Sequence, residues 1–323
     1  MRRCKVMNQT GSNRSQYLPF VALVFLALLW GYNWVVMKVG VRYCDPFVFA
    51  ALRNVFGALA LFAVALVRGC SLRLKAFWWT TLFSIFQTSL AALPVWALYI
   101  GSAGRTAVLT YTMPFWILVI AWPVLGERIR GVQWVAVVLA FAGLILIIDP
   151  LGLQGWAASL LAVGGGLAWA IASVLFKIIR KRHELELLPF TAWQTLIGSI
   201  PLIVVAVAVA PPMPTWNASL IAALLYNVIC SAVYVIWLYV LHNLTAGTAG
   251  ISILAVPVLG VVSAWIQLGE RPLALEGVGM GLVLGALAIL TARGLWASRQ
   301  ARLSAPAHEL VQAPVVGDLT QKE

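Results

Sequence analysis

Arg53 is the one charged residue that lies deep inside a long apolar run of this 323-residue chain. A guanidinium in that position can form a planar, bidentate pair with a carboxylate. It can equally be a structural arginine, bonded to carbonyls or polar side chains between helices. No acidic residue is placed to join it. Asp45, Glu127, Asp149, Glu184, Glu186, Glu270 and Glu276 fall in connections or near the ends of apolar runs, and Glu309, Asp318 and Glu323 fall in the C-terminal stretch. His183, His242 and His308 are equally peripheral. Ionisable groups at membrane depth are expensive and mark enzymes and proton relays, so their scarcity argues against an intramembrane enzyme. No catalytic residues, metal ligands or cofactors are expected. Cys4, Cys44, Cys70 and Cys230 are scattered without metal-ligand spacing, and no disulfide framework is expected.

Uncharged polar and aromatic residues are plentiful where charge is scarce. Asn and Gln have no reason to face lipid, where an unsatisfied polar group costs several kcal/mol. They should turn toward the bundle interior. The candidate cavity-lining set is Trp30, Asn33, Arg53, Gln87, Tyr99, Tyr111, Trp169, Ser173, Asn227 and Tyr234. It suits a small amphipathic or zwitterionic solute. A phosphate ester would want several buried Arg or Lys. A second set carries gating or structural roles: Lys38, Lys177, Pro114, Pro257, Glu127 and Glu270. Each proline removes a backbone N–H and frees the carbonyl four residues back. Lysines at helix ends commonly snorkel.

The elements that position these residues follow from composition. The chain is 62% hydrophobic and 10% charged, against roughly 25% charged in soluble domains. Ten apolar runs approach the about 20 residues that a spanning helix needs: 18–39, 47–67, 77–99, 105–125, 131–148, 154–178, 188–209, 217–240, 246–268 and 273–293. The net charge of +12 sits in short connections, so it marks membrane orientation rather than nucleic acid. With the N-terminus in the cytoplasm, 17 Lys and Arg fall inside and four outside. Residues 1–17 and 294–323 are then cytoplasmic, the latter a disordered tail. Arg53 lies about 9–10 Å from the outer end of helix 2 at 1.5 Å per residue. Gly277, Gly281 and Gly285 form a small-residue ridge suited to helix packing, within the chain or between chains.

The passage Pro114–Arg128, PFWILVIAWPVLGER, returns as Pro257–Arg271, PVLGVVSAWIQLGER, with eight of fifteen positions identical at an offset of 143. Trp30 and Lys38 align with Trp169 and Lys177, and Arg53 and Gly57 align with Gln194 and Gly198. The chain is therefore duplicated, with five helices per copy: 18–148 and 154–293. An odd unit inserts its second copy upside down. The expected fold is an all-α integral membrane protein of ten transmembrane helices in two inverted five-helix repeats, an architecture shared by many secondary transporters. The uncharged Gln194 at the position matching Arg53 favours the structural reading of that arginine.

Trp30-Gly31 followed by Lys38, Arg53 in the second helix, and the proline–helix–Gly-Glu-Arg passage in both halves resemble the drug/metabolite transporter superfamily, in its EamA-type ten-helix branch. The resemblance spans about residues 18–295. The second half departs from the pattern at Ala170 and Gln194. The resemblance implies a carrier in a bacterial inner membrane that exports amino acids or related metabolites by alternating access. Its partners would be a small-molecule substrate and membrane lipid. The alternatives are a nucleotide-sugar or phosphate-ester carrier, an intramembrane enzyme, or a receptor-like scaffold.

Overall fold

The computed structural model describes residues 18–126, 131–148, 155–243 and 246–304. Glu127, Asp149 and the segment 1–17 lie outside the described residues. So do positions 305–323 and the side chain of Tyr234. Every regular element described is a helix: α1 (Leu18–Gly40), α2 (Pro46–Val67), α3 (Phe77–Ile100), α4 (Ala103–Thr110), α5 (Met113–Leu125), α6 (Val132–Ile148), α7 (Trp156–Arg182), α8 (Leu187–Val209), α9 (Ala218–Asn243), α10 (Ala246–Leu268) and α11 (Ala274–Ser304). Six described segments are long and apolar enough to cross a membrane, and one of them, Ala103–Val124, joins α4 to α5. Four shorter apolar helices accompany them.

Local chemistry sets the boundaries. The Asp45 carboxylate accepts from the N–H groups of Phe47 and Val48, with Pro46 opening α2, so the orphan donors of the first turn are capped. Both Gly-Glu-Arg sequences stop their helix the same way. Gly126 (φ 71°) and Gly269 (φ 68°) take the left-handed conformation just past the last turn. Each donates its N–H to the matching tryptophan carbonyl, Trp122 and Trp265. The glycine of the repeated motif is therefore a helix stop.

Packing interleaves the two halves. Leu61 and Ala65, late in α2, cluster with Leu188 and Ala192, early in α8. Ala50 and Ala51, early in α2, cluster with Leu202, late in α8. These equivalent helices thus run antiparallel, as inversion requires. The equivalent pair α6 and α11 behaves alike, Gly143 meeting Val283 and Ile147 meeting Gly279. α3 packs along α7, and its equivalent α9 packs along α1. The crossings use small residues. A Cβ built at Gly143 would lie 2.6 Å from the Gly279 carbonyl oxygen. Such close approach is how membrane helices gain packing energy without a hydrophobic drive.

The fourth predicted span, Ala103–Val124, is interrupted by a two-residue turn at Tyr111–Thr112 that divides it into α4 and α5, and Pro114 sits in the first turn of α5. Three expectations need correction. The last helix does not end at Arg293 but runs to Ser304, because the helix-forming Ala, Leu, Arg and Gln of 294–304 continue the turn. Among the described residues, the ridge of Gly277, Gly281 and Gly285 makes no close packing contact within the chain. Gly279, on the other face of α11, makes it instead. Finally, Cys70 is disulfide-bonded, whereas Cys44 and Cys230 are buried free thiols.

Candidate functional site

A cavity of about 230 Å³ lies between the repeats, far above the roughly 10–15 Å³ that one water needs. α1 contributes Trp30, Asn33, Trp34 and Met37, and α2 contributes Arg53 and Asn54. Gln87, Thr88 and Pro94 come from α3, Thr110 from α4, and Tyr111 from the break before α5. α7 adds Trp169, α8 adds Thr191, Gln194 and Thr195, and α9 adds Asn227, Cys230 and Ser231. A smaller annex of about 70 Å³ shares Gln87, Trp169, Thr191 and Gln194 and adds Ser173 and the rings of Phe83, Phe176 and Phe190.

Seven of the ten candidate lining residues meet in the main cavity, namely Trp30, Asn33, Arg53, Gln87, Tyr111, Trp169 and Asn227. Ser173 lines the annex. Tyr99 does not line either space. It is 52% exposed, with its ring edge against Trp96. At the end of α3 an amphipathic ring is stable facing outward, since one end is apolar and the other wet. Thr191, Gln194 and Thr195 were absent from the lining set, although their i, i+3, i+4 spacing puts three polar side chains on one face of an otherwise apolar helix.

Arg53 is half-buried and partnered in an unusual way. Its Nη1 donates to the Met37 Sδ at 2.8 Å. Among the described residues, the ion pair found is Arg105–Glu276, at 2.8 Å, which leaves Arg53 without a carboxylate. The carbonyls and polar side chains expected of a structural arginine are not its partners. A guanidinium cannot shed its charge. The cavity therefore holds a fixed positive charge among neutral polar groups. Two of those groups are unsatisfied. The Asn33 Oδ1 and Asn227 Oδ1 are buried acceptors without a hydrogen-bond partner.

The break in the fourth span faces this cavity. Tyr111 stacks edge-on against both Trp34 and Trp169, at 6.3 Å and 5.4 Å between ring centroids. The Thr112 hydroxyl donates to the Leu109 carbonyl at 2.6 Å and accepts from the Trp116 Nε1 at 3.2 Å. Side-chain bonds of this kind compete with the helix for its own carbonyls.

Lys38, Glu270 and Lys177 line neither space. Lys38 Nζ donates to the Leu98 and Gly101 carbonyls, placing a cation on the C-terminal end of α3, where the helix dipole favours it. The Glu270 Oε2 accepts from the Ala103 N–H at 2.7 Å and the Gly104 N–H at 3.4 Å. A glutamate of the second repeat thus caps α4 of the first. Lys177 is exposed on α7.

The comparisons with known proteins agree with this architecture. The family model described as the EamA-like transporter family matches twice, over residues 18–149 and 156–292. The chain belongs to the EamA-like transporter family. It is thereby an integral membrane transporter of the drug/metabolite transporter superfamily. Among its relatives, the uncharacterized transporter YoaV of Bacillus subtilis (strain 168) is 29% identical over 284 residues, covering 83% of this chain and 93% of that protein. A probable amino-acid metabolite efflux pump of Escherichia coli (strain K12) is 27% identical over 282 residues, covering 83% and 93%. A solved crystal structure superposes with a TM-score of 0.62 at 17% identity, over 85% of this chain and 98% of that one. At that identity it speaks to the fold alone.

Proposed function

We propose that this transporter exports small amino-acid-type metabolites across a bacterial inner membrane by alternating access, with both termini in the cytoplasm. The observation that carries this reading is Arg53: a half-buried cation in the cavity whose hydrogen bond goes to a thioether sulfur and not to a carboxylate. Such a group is suited to a substrate carboxylate, which can pair with it in bidentate fashion. The neutral polar lining supports a solute whose own charges balance. The relatives named as efflux pumps for amino-acid metabolites support the same substrate class and the outward direction. A phosphate ester fits less well, because among the described residues Arg53 is the only Lys or Arg that lines the cavity. Inverted repeats with a site between them support alternating access.

The test is flux from reconstituted liposomes loaded with radiolabelled amino acids or with a phosphorylated sugar. Amino-acid flux is expected. Flux of the phosphorylated sugar alone would overturn the reading. In the same assay Arg53→Lys, which replaces a planar fork by a point charge, is expected to slow carboxylate solutes and leave their decarboxylated analogues little changed. An equal loss for every solute, with lower thermal stability in detergent, would return Arg53 to a structural role.

A further inference from the structure

We infer that the side-chain oxygens of Asn33 and Asn227 bind the α-ammonium of the solute whose carboxylate Arg53 holds, so that the site selects compounds with a free amino group. The inference rests on the carboxylate reading of Arg53. Its own observation is separate: two asparagines more than nine-tenths buried, each with an Oδ1 that finds no donor. A buried acceptor left unpaired is costly, and both acceptors line the cavity.

The orientation of Asn227 is fixed from within its own helix. Its Nδ2 donates to the Ala223 carbonyl at 2.9 Å, which commits the amide nitrogen and leaves the oxygen for the cavity. The levels agree as well. A Cβ at Gly57 would touch the Ser231 Oγ at 2.7 Å, so α2 and α9 meet there. The Thr215 N–H, just before α9, donates to the Tyr43 carbonyl, just before α2, so the two helices start at the same end and run in the same direction. One turn back along each come Arg53 and Asn227, which therefore share a level. Asn33 lies one turn from Met37, the residue whose sulfur takes the Arg53 N–H. One turn is about 5.4 Å. Asn33, Arg53 and Asn227 thus line one cavity from neighbouring turns of α1, α2 and α9. An ammonium placed there avoids Arg53 while the carboxylate of the same molecule meets it. Amide oxygens cannot hold an anion, and a charged N–H is the strongest donor they can accept.

The test uses the intact transporter in proteoliposomes. The standard amino acid with the fastest efflux serves as the radiolabelled probe. Its N-acetyl derivative and its α-hydroxy-acid analogue, which both keep the carboxylate, serve as competitors. The parent protein is expected to bind each analogue at least about tenfold more weakly, the loss of one charge-assisted hydrogen bond. Asn33→Val and Asn227→Ser are expected to raise the half-saturation concentration of the amino acid while changing that of the hydroxy acid less than twofold. Equal competition by the hydroxy acid and the amino acid in the parent overturns the inference, and this result needs no variant to fold. An equal loss for both compounds in both variants overturns it too. Efflux of no amino acid would instead overturn the proposed function, so the two failures are distinguishable.

Discussion

The two copies of the proline passage share eight of fifteen residues and do not share a backbone. In the first copy the span is broken at Tyr111–Thr112, and Pro114 opens a new helix. In the second copy α10 runs unbroken through Pro257. The difference lies just before the proline. Tyr111 and Thr112 correspond to Leu254 and Ala255. A threonine that bonds the Leu109 carbonyl, and a tyrosine held between two tryptophans, give the chain something to do other than continue the helix. Leucine and alanine offer no such competition. A pseudo-symmetric carrier that is to open to either side must hold its two halves in different conformations at any moment. Here the matched prolines occupy two distinct backbone states in one molecule.

The largest effect is expected from making the first copy resemble the second. The double variant Tyr111→Leu with Thr112→Ala removes the hydroxyl and the ring that hold the break open. Its fourth span should become one continuous helix, with slower amide exchange at 110–113. Flux should fall by about tenfold or more, on the order of 1.4 kcal/mol or more in the barrier. Wild-type flux in a protein with slowed exchange at those amides would show that the break is incidental to transport.

The two Gly-Glu-Arg sequences offer a smaller test. Glu270 closes the first turn of α4 across the repeat boundary, with Ser102 accepting from the Arg105 N–H beside it. Glu270→Gln keeps the shape and removes the charge from the positive end of a helix. The expected cost is about 1 kcal/mol, read as a lower midpoint of thermal unfolding in detergent. If the midpoint does not move, Glu270 is not the cap that its distances indicate.

The duplication, the inverted arrangement and most of the cavity lining were legible in the sequence for one physical reason. In a membrane a polar side chain has few places to go, so Asn33, Gln87 and Asn227 could be turned inward from their identity alone. That argument weakens at helix ends, where water is near, and there it misplaced Tyr99. It also says nothing about backbone state. The break at Tyr111–Thr112 depends on Trp34 and Trp169, which arrive from α1 and α7, and no local pattern announces them. The partner of Arg53 was hidden for a similar reason. Its matching position, Gln194, suggested a structural role, but only the packed helices reveal that a methionine sulfur, and no carbonyl, meets the guanidinium.

The smallest expected effects come from the prolines themselves, and their inequality is the point. Pro114 lies in the first turn of α5, where its missing N–H would have no helical partner in any case. Pro114→Ala is therefore expected to change stability by no more than about 0.5 kcal/mol. Pro257 lies inside α10, where it deletes a hydrogen bond to the carbonyl four residues back. Pro257→Ala restores that bond, and the expected gain is about 1 kcal/mol, the typical net worth of an intramolecular hydrogen bond. Unfolding titrations of the two variants in one detergent make the comparison direct. The sign and order matter more than the sizes. If Pro114→Ala stabilises the protein more than Pro257→Ala does, Tyr111 and Thr112 are not where the first passage stores its difference from the second, and the asymmetry belongs to the proline.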